Sequence, residues 1–273
     1  MSISPGQMNE ILQDFPPITL SEMNGISLMN RIDRKYLTDS WVLEDILKDA
    51  LRDGYRVFEQ EGERLHAYDS IYFDTPDLKM FTDHRRGKAD RQKVRTRKYV
   101  ETDQCYLELK RKNNHGRTRK NRIAIPSAQF ADYRKSGRAC AWLAENLGAE
   151  AGSLTPSLET VFRRITLVNE ALTERLTIDV CVRFRNFRTA SEKDLGQAVI
   201  IELKQDGRTR SRMQEILLSH RVKPERMSKY CVGLVMTDPG LLPGKFKQKV
   251  RAIEKINKNL YDKCYSPIIL QSL

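Results

Sequence analysis

Successive residues of CYLELKRK (105–112) alternate between apolar and polar side chains, and seven further segments repeat the pattern with varying strictness. A β-strand turns neighbouring side chains to opposite faces, so each such segment carries one apolar and one polar face. The others are RIDRKYL (31–37), DSIYFD (69–74), KVRTRKYV (93–100), KNRIAI (120–125), VFRRITLV (161–168), RLTIDVCVRF (175–184) and VIIELKQ (199–205). All have strand length and are rich in β-branched or aromatic residues, which predicts about eight strands.

The apolar faces are regular: Cys105, Leu107 and Leu109; Ile123 and Ile125; Leu176, Ile178, Val180 and Val182; Val199, Ile201 and Leu203. The opposite faces are unevenly charged. They hold Arg31, Lys35, Lys93, Arg95, Arg97, Lys110, Lys120, Arg122, Arg164, Arg175, Arg183 and Lys204 against Asp33, Glu108, Asp179 and Glu202. Alternation ordinarily means a sheet with one solvated face. A solvated face mixes its signs, however, because like charges opposed across a sheet repel. Helical patterns over 40–51, 127–146 and 209–220, with Ser40 and Ser127 as N-caps, supply elements that need an apolar surface to pack on. If those helices cover the outside, the charged faces line an inside. The expectation is an α+β fold: an eight-stranded antiparallel β-barrel, or tunnel, with helices packed on the outside.

A dozen cations lining a dry interior would be prohibitively costly, so such a lumen needs water and anions. Phosphate chains meet the requirement, since arginine offers a bidentate fork and lysine a mobile point charge to successive phosphates. Lys93, Arg95 and Arg97 stand about 6.6 Å apart along a strand rising about 3.3 Å per residue, a spacing that reaches neighbouring phosphates. The 48 Lys and Arg against 36 Asp and Glu, a formal charge of +12, agree with a polyanionic partner. The few acids then gain a role, because a magnesium or manganese ion bridging phosphate oxygens is held by one or two carboxylates and water. Glu202 and Glu108, in the matching contexts IELK and LELK, are the metal candidates, with Asp179 behind them. The competing reading of each glutamate is a salt bridge to the lysine two residues on.

The remaining features bound the setting. The five cysteines lie more than thirty residues apart and suggest neither a metal clip nor a disulfide framework; they read as buried or inert thiols of a reducing cytoplasm. His66, His84, His115 and His220 show no metal-ligand spacing. The first thirty residues do not resemble a signal peptide, and no stretch approaches the roughly 18 apolar residues of a membrane span. Turn signals divide the chain into an arm (1–24), a compact unit (25–240) and a tail (241–273). In the tail, Phe246, Val250, Ile253, Ile256 and Leu260 form one stripe with lysines and Arg251 largely off it. That helix packs on the body, or touches an anionic membrane surface or membrane protein at the inner face of the membrane.

RIDRKY, SIYFDTPDLKMF, KVRTRKY, LELK with TRKNR, FRR, RLTID, VIIELK and SKYCVG, in that order over roughly residues 28–237, resemble the polyphosphate polymerase domain of the VTC (vacuolar transporter chaperone) family, within the triphosphate tunnel metalloenzyme superfamily. The resemblance implies a tunnel that uses manganese or magnesium and transfers the terminal phosphoryl group of ATP to an inorganic polyphosphate chain. By motif, Lys35, Arg95, Arg97, Lys110, Lys120, Arg164, Arg175 and Lys229 would hold phosphates, and Glu202 the metal. Lys35, Arg95, Arg97 and Glu202 stand as the catalytic set, with Arg31, Lys93, Arg122 and Lys204 added to the phosphate ligands from their faces. Arg31 and Asp33 occupy the two glutamate positions of the superfamily's opening Glu-x-Glu-x-Lys, which implies one metal rather than two. Hydrolysis of triphosphate or polyphosphate in the same tunnel is the alternative. A nucleic-acid-binding role is disfavoured, since Tyr and Phe are not arranged as exposed stacking platforms and no binding motif is visible.

Overall fold

A computed structural model describes residues 5–23, 31–115, 117–207 and 209–265, without the side chains of 5, 31, 149, 150 and 259–265. Its strands are β1 (Pro17–Ile18), β2 (Arg31–Asp39), β3 (Arg56–Phe58), β4 (His66–Asp74), β5 (Arg91–Tyr99), β6 (Gln104–Lys112), β7 (Thr118–Ile125), β8 (Thr155–Val168), β9 (Glu174–Asn186), β10 (Glu192–Asp194) and β11 (Ala198–Asp206). The helices are α1 (Pro5–Gln13), α2 (Leu20–Met23), α3 (Ser40–Arg52), α4 (Lys79–Arg86), α5 (Gly137–Leu147), α6 (Arg212–Ser219), α7 (Lys229–Thr237) and α8 (Lys247–Tyr265). All eight expected strands are present and run antiparallel in the order β2-β11-β9-β8-β4-β5-β6-β7. The sheet curls around its polar face, but among the described residues the edge strands β2 and β7 are not hydrogen-bonded to each other, so the ring is not laced shut. No described helix is long and apolar enough to cross a membrane.

The apolar strand faces point outward and are covered. Leu43, Ile46 and Leu47 of α3 and Met213, Ile216 and Leu217 of α6 pack on Leu176, Ile178, Val199, Ile201 and Leu203, with Met8 and Leu12 of α1 alongside. Ala139, Leu143 and Leu147 of α5 cover Ile71, Val94, Leu107, Leu109 and Ile125. Burial of one such Leu or Ile side chain stabilises by about 1.5–3 kcal/mol, so turning any strand over would forfeit several of these at once.

Helix α7 occupies the other side of the sheet. KYCVGLVMT is apolar nearly all round, the mark of a buried helix, and its Tyr230, Cys231 and Leu234 join Tyr72, Leu158, Phe162, Phe184 and Ile200 in one cluster. Tyr72 and Tyr230 stack at 4.9 Å. Gly233 is required here, since a Cβ on it would meet Leu158 and Phe184 carbons at 2.6 Å. One end of the barrel is therefore filled with apolar side chains, and the charged lumen occupies the rest. On α8, Phe246 just before the helix and Ile253 are buried in the same cluster, with Val250 and Ile256 against it; Leu260 lies outside the described side chains.

Several local expectations are corrected. On β9 the alternation breaks at Cys181, which adopts φ 52° where the register against β8 shifts. Such a bulge exchanges the faces beyond it, so Val182 and Phe184 turn inward while Cys181 and Arg183 face outward and are exposed. Arg183 thus leaves the interior set, and Cys181 is not a buried thiol. Helix α3 is capped by Asp39 rather than Ser40, with the Asp39 carboxylate accepting from the Trp41 and Val42 N–H groups. The expected helix 127–146 splits into two short 3₁₀ turns and α5, because the side chains of Asp132 and Ser136 accept local backbone N–H groups and restart the chain. Ser211, likewise, caps α6, which starts at Arg212, three residues inside the expected 209–220.

Candidate active site

Inner-face side chains of all eight main strands and the first residue of α7 line one cavity of about 780 Å³. It is lined by Lys35 of β2, Lys93, Arg95 and Arg97 of β5, Glu108 and Lys110 of β6, and Lys120 and Arg122 of β7. Arg164 of β8, Arg175 and Asp179 of β9, Glu202 and Lys204 of β11, and Lys229 complete the charged set. Every expected site residue with a described side chain lies on this wall. Arg31 opens β2 opposite Asp206, and its side chain lies outside the described residues. Among the described residues, eleven lysines and arginines face five carboxylates across the cavity.

Three of those carboxylates are each clamped by two cations from different elements. Glu202 contacts Lys35 at 3.1 Å and Lys204 at 3.0 Å. Glu108 accepts from Arg95 at 2.6 Å and pairs with Lys120 at 2.6 Å, not with Lys110, its neighbour two residues on. Asp179 accepts from both Nε and Nη2 of Arg164, at 2.6 and 2.9 Å, and also from Lys229. Burial opposes ionisation of all three, yet their cations outweigh it and hold each carboxyl well below the usual range. Burial lowers the Lys204 and Lys229 ammonium groups to about 8, against the pull of Glu202 and Asp179. Lys93 and Lys110 are lowered by burial and by neighbouring lysines.

An aromatic floor lies between the cations. The Arg97 guanidinium stands 5.4 Å from the Tyr68 ring, that of Arg164 4.9 Å from the same ring, and Lys229 Nζ 4.1 Å from Phe162. Arg95 donates to the Tyr72 hydroxyl at 3.1 Å. Burial would raise that phenol, but Arg95, Arg97, Lys93 and Lys229 bring it down to about 8. Lys93 donates to Ser228 Oγ at 2.9 Å. Sequence reasoning missed Tyr68, Tyr72 and Ser228 as lining residues. Alternation in DSIYFD carries a signal for Tyr72, which shares a face with Ser70, whereas Ser228 is placed only by the packing of α7.

Among the described residues no three His, Cys, Asp or Glu side chains gather as a ready-made metal centre. The donor set nevertheless fits a hard divalent cation that arrives with phosphate and keeps its waters, since that ion needs only one or two carboxylates. Glu202 suits it best of the three acids. Its ion pairs are the longest, and its side chain is 20% exposed against 2% for Glu108 and 5% for Asp179.

The sequence matches the VTC domain family over residues 30–237. No curated protein matches it. A candidate adenylate cyclase from Bacillus halodurans has a similar structure, at 17% identity and TM-score 0.49, covering 73% of this chain and 96% of that one. A candidate adenylyl cyclase from Hippeastrum, described with a dominant triphosphatase activity, is 16% identical at TM-score 0.47, covering 79% and 99% of the two chains. The PH1819 protein of Pyrococcus horikoshii, at 13% identity and TM-score 0.43, covers 76% and 98%. Likenesses of this order carry no argument about chemistry.

Proposed function

The chain belongs to the VTC domain family, and from that premise we propose that it is a metal-dependent polyphosphate polymerase, transferring the terminal phosphoryl group of ATP to an inorganic polyphosphate chain. The observation that supports this reading is the convergence of cations from seven strands and α7 on one enclosed cavity.

Each of the three carboxylates stands between two cations, the positions this reading assigns to phosphates. A polyphosphate substrate replaces them as the counter-charge. Arg95 and Arg97 bind phosphate oxygens from one wall, while Arg164, Lys204 and Lys229 approach from β8, β11 and α7. Lys35, Lys93, Lys110, Lys120, Arg122 and Arg175 extend the contact along the chain. When bound, manganese or magnesium at Glu202, with Glu108 and Asp179 as the further carboxylates within the cavity, neutralises charge on the phosphate oxygens. The cations hold the acceptor's terminal phosphate in line with the γ-phosphorus of ATP. A new P–O–P bond forms there as the bond to the ADP oxygen breaks. The acceptor oxygen is already anionic, so no side-chain nucleophile or base is required, and positioned positive charge carries the rate enhancement.

The test is to incubate the protein with ATP and manganese or magnesium and resolve the products by chain length. Polyphosphate with stoichiometric ADP is expected. Release of inorganic phosphate without polymer would reject the transferase and retain a triphosphatase or polyphosphatase.

A further inference from the structure

The cation row does not stop at the cavity wall. On β5 the inner-face series Arg97, Arg95, Lys93 continues to Arg91, on β6 Lys110 is followed on the same face by Lys112, and Arg91 and Lys112 are register partners. The cavity lining reaches Lys93 and Lys110, so the next pair carries positive charge roughly 6.6 Å further, at about 3.3 Å per residue. Both side chains are half-buried.

Chain beyond the family-matched 30–237 returns to this point. The 3₁₀ turn Gly244–Phe246 sets Lys245 over the strand end, its Nζ 3.6 Å from where a Cβ on Gly87 would stand. Arg226, exposed in the segment before α7, is the fourth member. Burial and then repulsion by Arg91, Arg226 and Lys112 lower the Lys245 ammonium. His84 beneath them offers no relief: burial and the charges of Lys93, Arg91, Lys245 and Lys110 lower it to about 2, so it stays neutral beside Cys231 Sγ, 3.1 Å from its Nδ1. Among the described residues none of the four cations is paired with a carboxylate, whereas each clamped acid of the cavity is shared by two.

We infer that Arg91, Lys112, Arg226 and Lys245 form a second anion site at the rim, holding the stretch of a phosphate chain that extends out of the cavity. This rests on the phosphate-chain reading of the cavity. It separates short from long substrates: tripolyphosphate is satisfied inside, and only a longer chain reaches the rim.

Calorimetric binding of tripolyphosphate and of long-chain polyphosphate to the wild type and to an Arg226→Ala, Lys245→Ala double variant tests it, with a thermal melt confirming the fold. Both positions are exposed, and each lost contact is worth up to about fivefold, so long-chain affinity should fall about tenfold. The slope of log K against log salt should flatten by about 1.4, at about 0.7 per contact with a single strand, while tripolyphosphate affinity holds. Equal losses for both ligands, or none for either, overturn the rim site. Failure of the wild type to bind either phosphate chain overturns the reading of the cavity instead. Displacement of long polyphosphate from the wild type by an equal charge concentration of single-stranded RNA makes the rim a nucleic-acid surface and also overturns the inference.

Discussion

Replacing Glu108 by glutamine removes the negative charge shared by Arg95 and Lys120 and leaves the side-chain volume nearly unchanged. Glu108 is 2% exposed, Arg95 21% and Lys120 43%, so the two cations are left close together with only partial access to water. Breaking a buried pair from one side costs about 3–5 kcal/mol, and the exposure of Lys120 places this case near about 3. For a chain of this length about 2 °C of melting temperature accompanies each kcal/mol, so the ligand-free variant should melt about 6 °C lower. The pH dependence has a definite sign. Glu108 is depressed in the folded protein, so its contribution is fully present above its unfolded value, near pH 4.5, and is lost as pH falls below it. The gap between wild type and variant should therefore be constant from neutral pH down to about 5 and narrow under acid. Tripolyphosphate at about one hundred times its Kd adds about 2.7 kcal/mol to the wild type and should restore more than that in the variant, where phosphate supplies the missing charge. Differential scanning fluorimetry with and without ligand measures all three. An unchanged melting point, or a loss that ligand does not repair, refutes the idea that the carboxylate substitutes for phosphate.

Phosphate affinity should decline as pH rises through about 8, where Lys204 and Lys229 lose their protons; a Lys204→Arg, Lys229→Arg double variant should decline less steeply in binding titrations, the remaining slope belonging to the Tyr72 phenol, which also titrates at about 8. Glu202→Gln should abolish metal-dependent turnover while tripolyphosphate binding in chelator persists or tightens, which calorimetry separates from a folding defect. Gly233→Ala forces a Cβ against Leu158 and Phe184 and should cost about 1–3 kcal/mol in denaturant unfolding, because an overpacked site relaxes only by moving helix α7.

How much of this was legible in the sequence follows from the range of each signal. Alternation is local, and it located all eight strands and the inward course of Lys93, Arg95 and Arg97, since a strand's faces follow from its own residues. It failed at Arg183 because the bulge at Cys181 is one residue of unusual backbone, invisible to a period of two. Helix starts failed where two cap residues compete: Asp39 stands beside Ser40, and Asp132 and Ser136 interrupt the helix that began at Ser127. Which cation answers which acid was legible only at Glu202, which does pair with Lys204 two residues on. Glu108 and Lys110 share a face, yet the strand pairings bring Arg95 and Lys120 opposite Glu108, and sequence separation says nothing of that register. Lys229 entered through family resemblance alone, because its position depends on an apolar helix seated inside the barrel.

The proposed chemistry requires phosphate inside the barrel, and a crystal structure with tripolyphosphate and manganese tests that most directly. It should show phosphate oxygens within hydrogen-bond distance of Arg95, Arg97 and Lys229, with the Arg95 link to Glu108 and the Lys229 link to Asp179 loosened. Ordered tripolyphosphate on the outer surface, with the three clamped carboxylates unmoved around a water-filled cavity, would contradict it.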